Sequence, residues 1–419
     1  MPVNPVTVTT TVTIATQRVA SYGEICIVGT EAGGAAPDNT VELIDNLTDI
    51  ATRFGSTTDL YYAAERIFDQ GVASVYCVRV GSTNVPSEAV IVGAGVLANF
   101  PVYGKSTITL AAYTVQFTTG TPSDPGAGKI EINTKTGAIW VGTGAGGNIA
   151  YDYLDWTGLF AVTKDYSFDI MVAAMYFTEE QEYGDVDTLL DDCDSENRVM
   201  PIMAVKSAAA AGIVTLAADF SSKNAVFIAH GCDEDAAAAV AGRMSIVKPW
   251  EKMMWKKIPG LTMDAYYDDS DVATLEAGNV NAIILRNNEY DVMSDGLTTE
   301  GSTYKYIDIT RTQYYLETQI ITGLGDLIER VDIPYTPNGL DMVKSNIETA
   351  CETAVGVGAV RAPFVNDDGD YSSPYIVQMP DWDTISSADK TARLLQNIYV
   401  TVYLAGQIQA ISLYLNIQI

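Results

Sequence analysis

The sequence predicts a multidomain α/β (α+β) protein in which a small all-β domain interrupts the core and both chain ends form strands. Three observations predict it. Apolar, β-branched runs alternate with helical stretches over much of the chain. Between residues 82 and 160 the composition shifts to short alternating runs separated by Gly, Pro and Thr. The first and last segments alternate at strand period.

The opening run, Val6 to Ile14, is packed with Val and Thr but has no hairpin partner beside it, so it reads as an edge strand or an arm that pairs elsewhere. Residues 24–28 form a short buried strand ending at Gly29. Residues 46–54 follow as a helix stopped by Gly55, and Thr58 with Asp59 starts a second helix through Leu60, Ala63, Ala64, Ile67 and Phe68. The strand at 73–80 completes a β-α-β unit. Short strands at 90–92, 106–110, 115–118, 129–133 and 138–141 make up the all-β domain. The α/β pattern resumes at 168–174, with a helix at 184–191, strands at 200–205 and 225–229, and an Ala-rich helix at 234–243. Helices at 310–331 and 340–355, a strand at 375–379 and a helix at 389–395 lead to two final strands, 398–404 and 410–419, with a turn at Gly406. The predicted organisation is an N-terminal arm (1–16), core (17–81), inserted outer domain (82–160), core again (161–305), C-terminal domain (306–397) and C-terminal arm (398–419).

The chain has 419 residues, 47% of them hydrophobic, enough for two or three domains with substantial cores. Its 53 acidic against 24 basic residues leave a net charge of −29, which excludes direct nucleic-acid binding and attachment to an anionic membrane, since both need a positive field. Solubility through mutual repulsion and adaptation to salt both fit that charge. Cys26, Cys77, Cys193, Cys232 and Cys351 are dispersed and read as reduced thiols. The N-terminus has neither a basic region nor an apolar signal core, and no run approaches a membrane span, so the expectation is a chain made in the cytoplasm without a leader.

Few motifs suggest chemistry. Gly142-Thr-Gly-Ala-Gly-Gly147 imitates a phosphate loop, but residues 148–153 make a poor helix start, so a flexible turn is expected. His230, the single histidine, and Cys232 resemble a nucleophile–base pair without an orienting carboxylate. The acidic runs 264–271 and 367–370 offer oxygen ligands for calcium but lack the EF-hand pattern, and solvated turns are the competing reading. No catalytic, cofactor or metal site is expected, and no enzyme activity. The one basic-aromatic cluster spans 248–257. Either Trp250, Met253, Met254 and Trp255 pack while the lysines stay wet, or Lys248, Lys252, Lys256 and Lys257 meet an acidic neighbour.

The order of motifs resembles that of contractile tail sheath proteins. Ile25-Cys-Ile-Val-Gly29, Asp49 to Phe54-Gly55, Leu60 to Phe68 and Val75 to Arg79-Val80 are similar to the N-terminal signature of that family. Arg311 to Arg330, Ile333-Pro-Tyr-Thr-Pro-Asn-Gly339, and Asp389-Lys-Thr-Ala-Arg393 with Gly406 resemble its C-terminal domain, departing at Lys390 and at Gln407-Ile-Gln409. The resemblance implies a structural subunit that stacks as hexameric rings around an inner tube and contracts to drive the tube through a target envelope. It implies as partners other copies of the chain, the tube protein, and baseplate and tail terminator proteins, in a virion tail assembled in the host cytoplasm. The terminal strands would be arms joining subunits, through Val6, Val8, Thr10, Val12 and Ile14 at one end and Val400, Val402, Leu404, Ile411, Leu413, Leu415 and Ile417 at the other.

Two other readings stay open. A self-assembling protein of capsid or surface-layer type is one, although a surface layer calls for a secretion signal. An α/β nucleotide-binding enzyme is the other, although Gly29-Thr-Glu-Ala-Gly-Gly34 puts an acid where phosphate would sit.

Overall fold

The computed structural model describes residues 6–8, 23–31, 33–104, 107–110, 113–118, 120–144, 147–166, 168–174, 183–196, 199–206, 209–365 and 371–406. They fall into two compact units. The core unit comprises Ser21–Val247 and Met253–Ile307; the second comprises Met1–Ala20, Lys248–Lys252 and Asp308–Ile419.

The chain begins in the second unit with β1 (Val6–Val8) and then enters the core unit at β2 (Ile25–Gly29). Every residue of β2 is buried, as its unbroken apolar sequence requires of a strand covered on both faces. Next come β3 (Glu42–Ile44), α1 (Leu47–Arg53), α2 (Asp59–Phe68) and β4 (Val75–Arg79). Asn46 starts α1 by accepting the Asp49 N–H, and Thr58 starts α2 by accepting that of Tyr61. Helix α2 buries Leu60, Ala63, Ala64 and Ile67, one stripe at helical spacing. Strands β2 and β4 pair in parallel, as a β-α-β unit demands.

The turn-rich stretch contributes β5 (Ser82–Val90), β6 (Gly93–Val96), β7 (Thr109–Leu110), β8 (Thr114–Phe117), β9 (Lys129–Ile132), β10 (Ala138–Val141) and β11 (Gly147–Leu154). They form two small sheets, β6-β10-β9-β8 and β5-β11-β7. Leu97, Val102, Leu110, Ile130, Ile132, Ile139, Val141, Ile149 and Tyr151 make a core of their own between them. The longest of these strands, β5, replaces the short run expected at 90–92. Its Pro86 and scarcity of apolar residues hide it, and both are tolerated because β5 is an edge strand whose partner among the described residues is β11.

The remaining core elements are α3 (Trp156–Thr163), β12 (Ile170–Ala173), α4 (Tyr183–Glu196), β13 (Met200–Lys206), α5 (Ala210–Ala217), β14 (Val226–His230), α6 (Ala236–Ile246), α7 (Asp269–Ala277), β15 (Asn281–Arg286) and β16 (Tyr290–Met293). An eight-stranded sheet results, in the order β16-β15-β14-β13-β12-β2-β4-β3. Only its outermost pairs, β15–β16 and β3–β4, are antiparallel. All five cysteines are buried, and none forms a disulfide. Helix α6 is built almost wholly of small residues and lies against α2. A methyl group on Gly242 would stand 3.0 Å from Ile67 Cα and 2.8 Å from Gln70 Cγ.

The second unit continues with α8 (Ile307–Arg330), α9 (Pro337–Gly356), β17 (Phe364–Val365), β18 (Tyr371–Ser372), β19 (Tyr375–Gln378), α10 (Ser387–Ala392) and β20 (Tyr399–Val402). Thr336 accepts the Gly339 N–H ahead of Pro337, so α9 starts on a capping side chain and a first-turn proline. Tyr315, Leu316, Leu324, Val343, Ile347, Cys351, Ala354, Val360 and Val402 form this unit's core. Trp250 packs against it with its ring 5.0 Å from that of Tyr315.

The α2–α6 contact leaves no room for a branched side chain. Gly242→Val is expected to destabilise the protein by about 1–3 kcal/mol, the usual cost of overpacking. Urea unfolding followed by tryptophan fluorescence measures this, and an unchanged midpoint would show that the contact yields.

Candidate subunit-joining sheet

Strand β20 is the centre of a three-stranded sheet in the order β1-β20-β19. Its sequence, Tyr-Val-Thr-Val, alternates, and the alternation decides which side is buried. Val402 is 5% exposed within the core of the unit, and Val400 packs against the same cluster. Val377 and Tyr375 of β19 lie opposite Val400 and Val402 and pack against that cluster too. Ile376, opposite Thr401, is 42% exposed. The sheet therefore covers α8 and α9 with one face and offers the other to solvent.

Both edges of β20 are used. On one side Val6 pairs with Val402, Thr7 with Thr401 and Val8 with Val400, antiparallel. On the other the ladder runs from Tyr375–Val402 to Gln378–Tyr399, again antiparallel. A strand from the far N-terminus thus completes a sheet built by the last part of the chain. Beyond β20, Leu404 bridges Val360, and the Ala405 N–H donates to Ala359 O. Arg361 locks this corner: its guanidinium lies 4.3 Å from the centre of the Tyr403 ring and donates to Ser372 Oγ at 2.6 Å. Gly406 has a φ of +60°, a left-handed conformation suited to glycine.

Among the described residues, no strand pairs with the outer edge of β19. Beside it opens a cleft of about 560 Å³ lined by Glu348, Glu352, Tyr371, Tyr375 and Ile376, among others. The Tyr375 hydroxyl donates to Glu352 at 3.2 Å; burial and the Glu352 charge push its pKa up to about 12. Tyr371 and Val365 add strongly exposed apolar surface in the same unit. An open sheet edge beside apolar side chains is chemically suited to the addition of another extended segment.

Of the expected arm residues, Val6, Val8, Val400, Val402 and Leu404 fall in this sheet or beside it. Thr10, Val12, Ile14, Ile411, Leu413, Leu415 and Ile417 lie outside the described residues. The four lysines are divided between the two units. Residues 248–257 are turns, with Lys248 and Lys252 in the second unit and Lys256 and Lys257 in the core unit. Of the aromatic and Met side chains, Met253 is buried but Trp255 is 42% exposed.

The residues that imitate chemistry have other occupations. Gly142 to Gly144 connect β10 to β11, two strands, with no helix to receive a phosphate. At the start of α2, the helix N-terminus nearest β2, Glu31 accepts the Asp59 N–H at 2.9 Å and Asp59 accepts the Thr30 N–H at 2.7 Å. Two fixed carboxylates fill the position a bound phosphate would need. Asp268 caps α7 by accepting from Ser270 and Asp271, and Asp264 pairs with Lys206 at 3.2 Å. The cap at Asp268 was the missed signal for α7. The run 367–370 lies outside the described residues. Among the described residues no helix is long and apolar enough to cross a membrane.

His230 ends β14 with Nδ1 3.1 Å from Cys232 Sγ. Burial, then the Lys206 charge, lowers the histidine to about 4, while burial raises the thiol to about 12. Both groups stay neutral, the opposite of an imidazolium–thiolate pair. In the unfolded chain the imidazole titrates near 6.5, so below that pH the unfolded state binds more protons. The stability His230 contributes is whole above pH 6.5 and is lost as pH falls through about 4. His230→Asn is expected to remove this part of the acid sensitivity, read as the difference between variant and parent in urea midpoint at pH 7 and at pH 4.5. Parallel pH dependences in the two proteins would contradict it.

Comparison by sequence finds no matching family model and no matching curated protein. Comparison of structures does. The chain is similar to a protein in the contracted helical sheath of the anti-feeding prophage at a TM-score of 0.61, with 12% identity over 99% of both chains. A chain of the contracted sheath complex of PVC, an extracellular contractile injection system, matches at 0.63 and 11% identity over 99% of this chain and 97% of that one. The crystal structure of a sheath tail protein from Listeria innocua matches at 0.52 and 11% identity, over 86% of this chain and 89% of that one. The chain has the fold of contractile sheath proteins along its whole length.

Proposed function

We propose that this chain is a subunit of a contractile sheath. It stacks as hexameric rings around an inner tube, and contraction of the lattice drives the tube through a target envelope. The observation that carries the reading is β20, a strand near the C-terminus whose one edge is filled by the extreme N-terminus. A three-residue strand at the end of a chain loses nothing in backbone hydrogen bonding when an identical segment of another copy takes its place. Main-chain ladders also tolerate rotation of the bodies they connect, which a lattice that changes shape requires. The second support is the likeness to chains of two contracted sheaths, which extends over nearly all of this one.

On this reading residues 1–16 and 398–419 are the arms. Thr10, Val12 and Ile14, with Ile411, Leu413, Leu415 and Ile417, extend the pairing into neighbours, while Val400 and Val402 anchor the acceptor sheet. The partners are other copies, the tube protein, and the baseplate and terminator that bound the sheath. The protein works in the tail of the particle.

Deleting residues 1–16 or 406–419 is expected to leave a soluble protein that forms no hollow cylinders in negative-stain microscopy. Thr401→Pro makes the same test within the folded sheet, because Thr401 faces Thr7 on one side and Ile376 on the other and proline cannot donate to either ladder. Cylinders of ordinary length from both truncations would sink the arm assignment; globular oligomers from the parent chain, with no cylinders in any condition, would sink the sheath.

A further inference from the structure

The second half of the basic-aromatic segment builds a cationic face on the β15–β16 hairpin of the core unit. The Trp255 N–H donates to Met293 O at 2.8 Å and the Ile258 N–H to Asp291 O at 2.9 Å, and Lys257 bridges Val292. The segment thus runs along the outer side of β16. Across the hairpin Arg286 pairs with Tyr290. The Arg286 guanidinium covers the Trp255 ring at 3.8 Å, and Lys257 Nζ lies 3.6 Å from the centre of the Tyr290 ring. Both cations lie over rings, with Lys257 exposed and Arg286 partly so. Two carboxylates share the hairpin, Glu289 at the turn and Asp291, which accepts from the Tyr266 hydroxyl at 2.8 Å.

Trp255 is held at φ +63° while 42% exposed. That backbone is costly for a bulky side chain, and partial exposure limits the core packing that would offset it. Trp, Tyr and Arg side by side are also the side chains that dominate protein–protein hot spots. The strain, the composition and the positive charge in a chain of net −29 point the same way.

We propose that this face docks on the acidic C-terminal half of α4 in a second copy of the chain; the inference rests on the reading of the protein as a self-assembling subunit. The C-terminal half of helix α4 carries Asp191, which is exposed, and Asp192 and Asp194, which are half-buried, with no basic residue in its last turn, where the helix dipole disfavours anions. Asp187 is paired with Lys135 at 2.5 Å, and Asp194 accepts from Asn224 at 3.0 Å. Asp191 is exposed, and burial followed by the Asp187 charge raises its carboxyl above the ordinary range. An arriving guanidinium relieves that repulsion. Helix α4 packs on β12 and β13, whereas the hairpin is at the sheet edge beyond β14. Patch and complement are therefore different surfaces of one unit, and their contact repeats head to tail instead of closing into a dimer.

The test is a charge exchange in the full chain, followed by sedimentation velocity over a range of concentration and salt. Arg286→Glu and Lys257→Glu are each expected to weaken self-association by about tenfold or more at low salt. Asp191→Lys does the same, and the double variant R286E/D191K regains what either single change loses. Trp255→Gly relieves the backbone strain, so it is expected to melt no earlier than the parent while associating more weakly. Unchanged association in R286E and K257E overturns the proposal, as does a double variant without recovery, a parent that stays monomeric throughout, or a loss confined to binding of an acidic tube protein. Cylinders formed equally by R286E and the parent would remove this contact and leave the sheath reading intact. Patch-dependent association that never yields cylinders would do the reverse.

Discussion

The second unit depends on β20 having both of its edges paired. A strand of four residues has too few side chains to hold itself against two helices, and Val400 and Val402 are its only inward anchors. The ladders on either side fix its register, and a slip of one residue would turn both valines to solvent. One ladder is local in the chain, from β19. The other comes from the opposite terminus, so the completeness of this sheet depends on whichever N-terminal strand is present. On the sheath reading proposed above, that constraint would join the fold to assembly, because a site that accepts a strand through backbone alone does not distinguish its own segment from a neighbour's.

The core unit makes a different demand. Its sheet is parallel across the middle and carries helices on it, so α2 and α6 must approach closely, and the run of alanines with Gly242 in α6 answers that need. Two places in it that imitate chemistry are otherwise engaged. Glu31 and Asp59 occupy the helix start nearest β2, and His230 with Cys232 is held neutral in the interior. Chemistry that fold analogy alone would suggest for an α/β sheet is displaced by internal carboxylates and by burial.

Much of this was legible in the sequence where one signal dominated. The uninterrupted apolar run of β2, the cap Thr58, and the stripe of α2 each have a single physical reading. The alternation of β20 likewise predicts one buried face. Elements whose signals conflict were not legible. Strand β5 contains Pro86 and little apolar surface, and α7 begins in an acidic run that competes with a solvated turn until Asp268 is recognised as a cap. The segment 248–257 misleads most: its aromatic and methionine residues suggest a set that packs together, but they are divided between two compact units, and a left-handed Trp255 stays exposed. The pairing of β1 with β20 joins positions almost four hundred residues apart, which no local pattern encodes. The sequence marked both ends as strands without saying which partner each would take.

The placement of the five cysteines has a consequence for where such a protein can operate. Cys26, Cys77, Cys193, Cys232 and Cys351 are all buried, and the thiols of Cys77, Cys232 and Cys351 are pushed well above neutrality. Disulfide exchange needs an accessible thiolate. In the sheath proposed above, burial of every thiol would keep oxidising surroundings from welding one copy to the next, and the rearrangements open to freshly made protein would stay open after long storage.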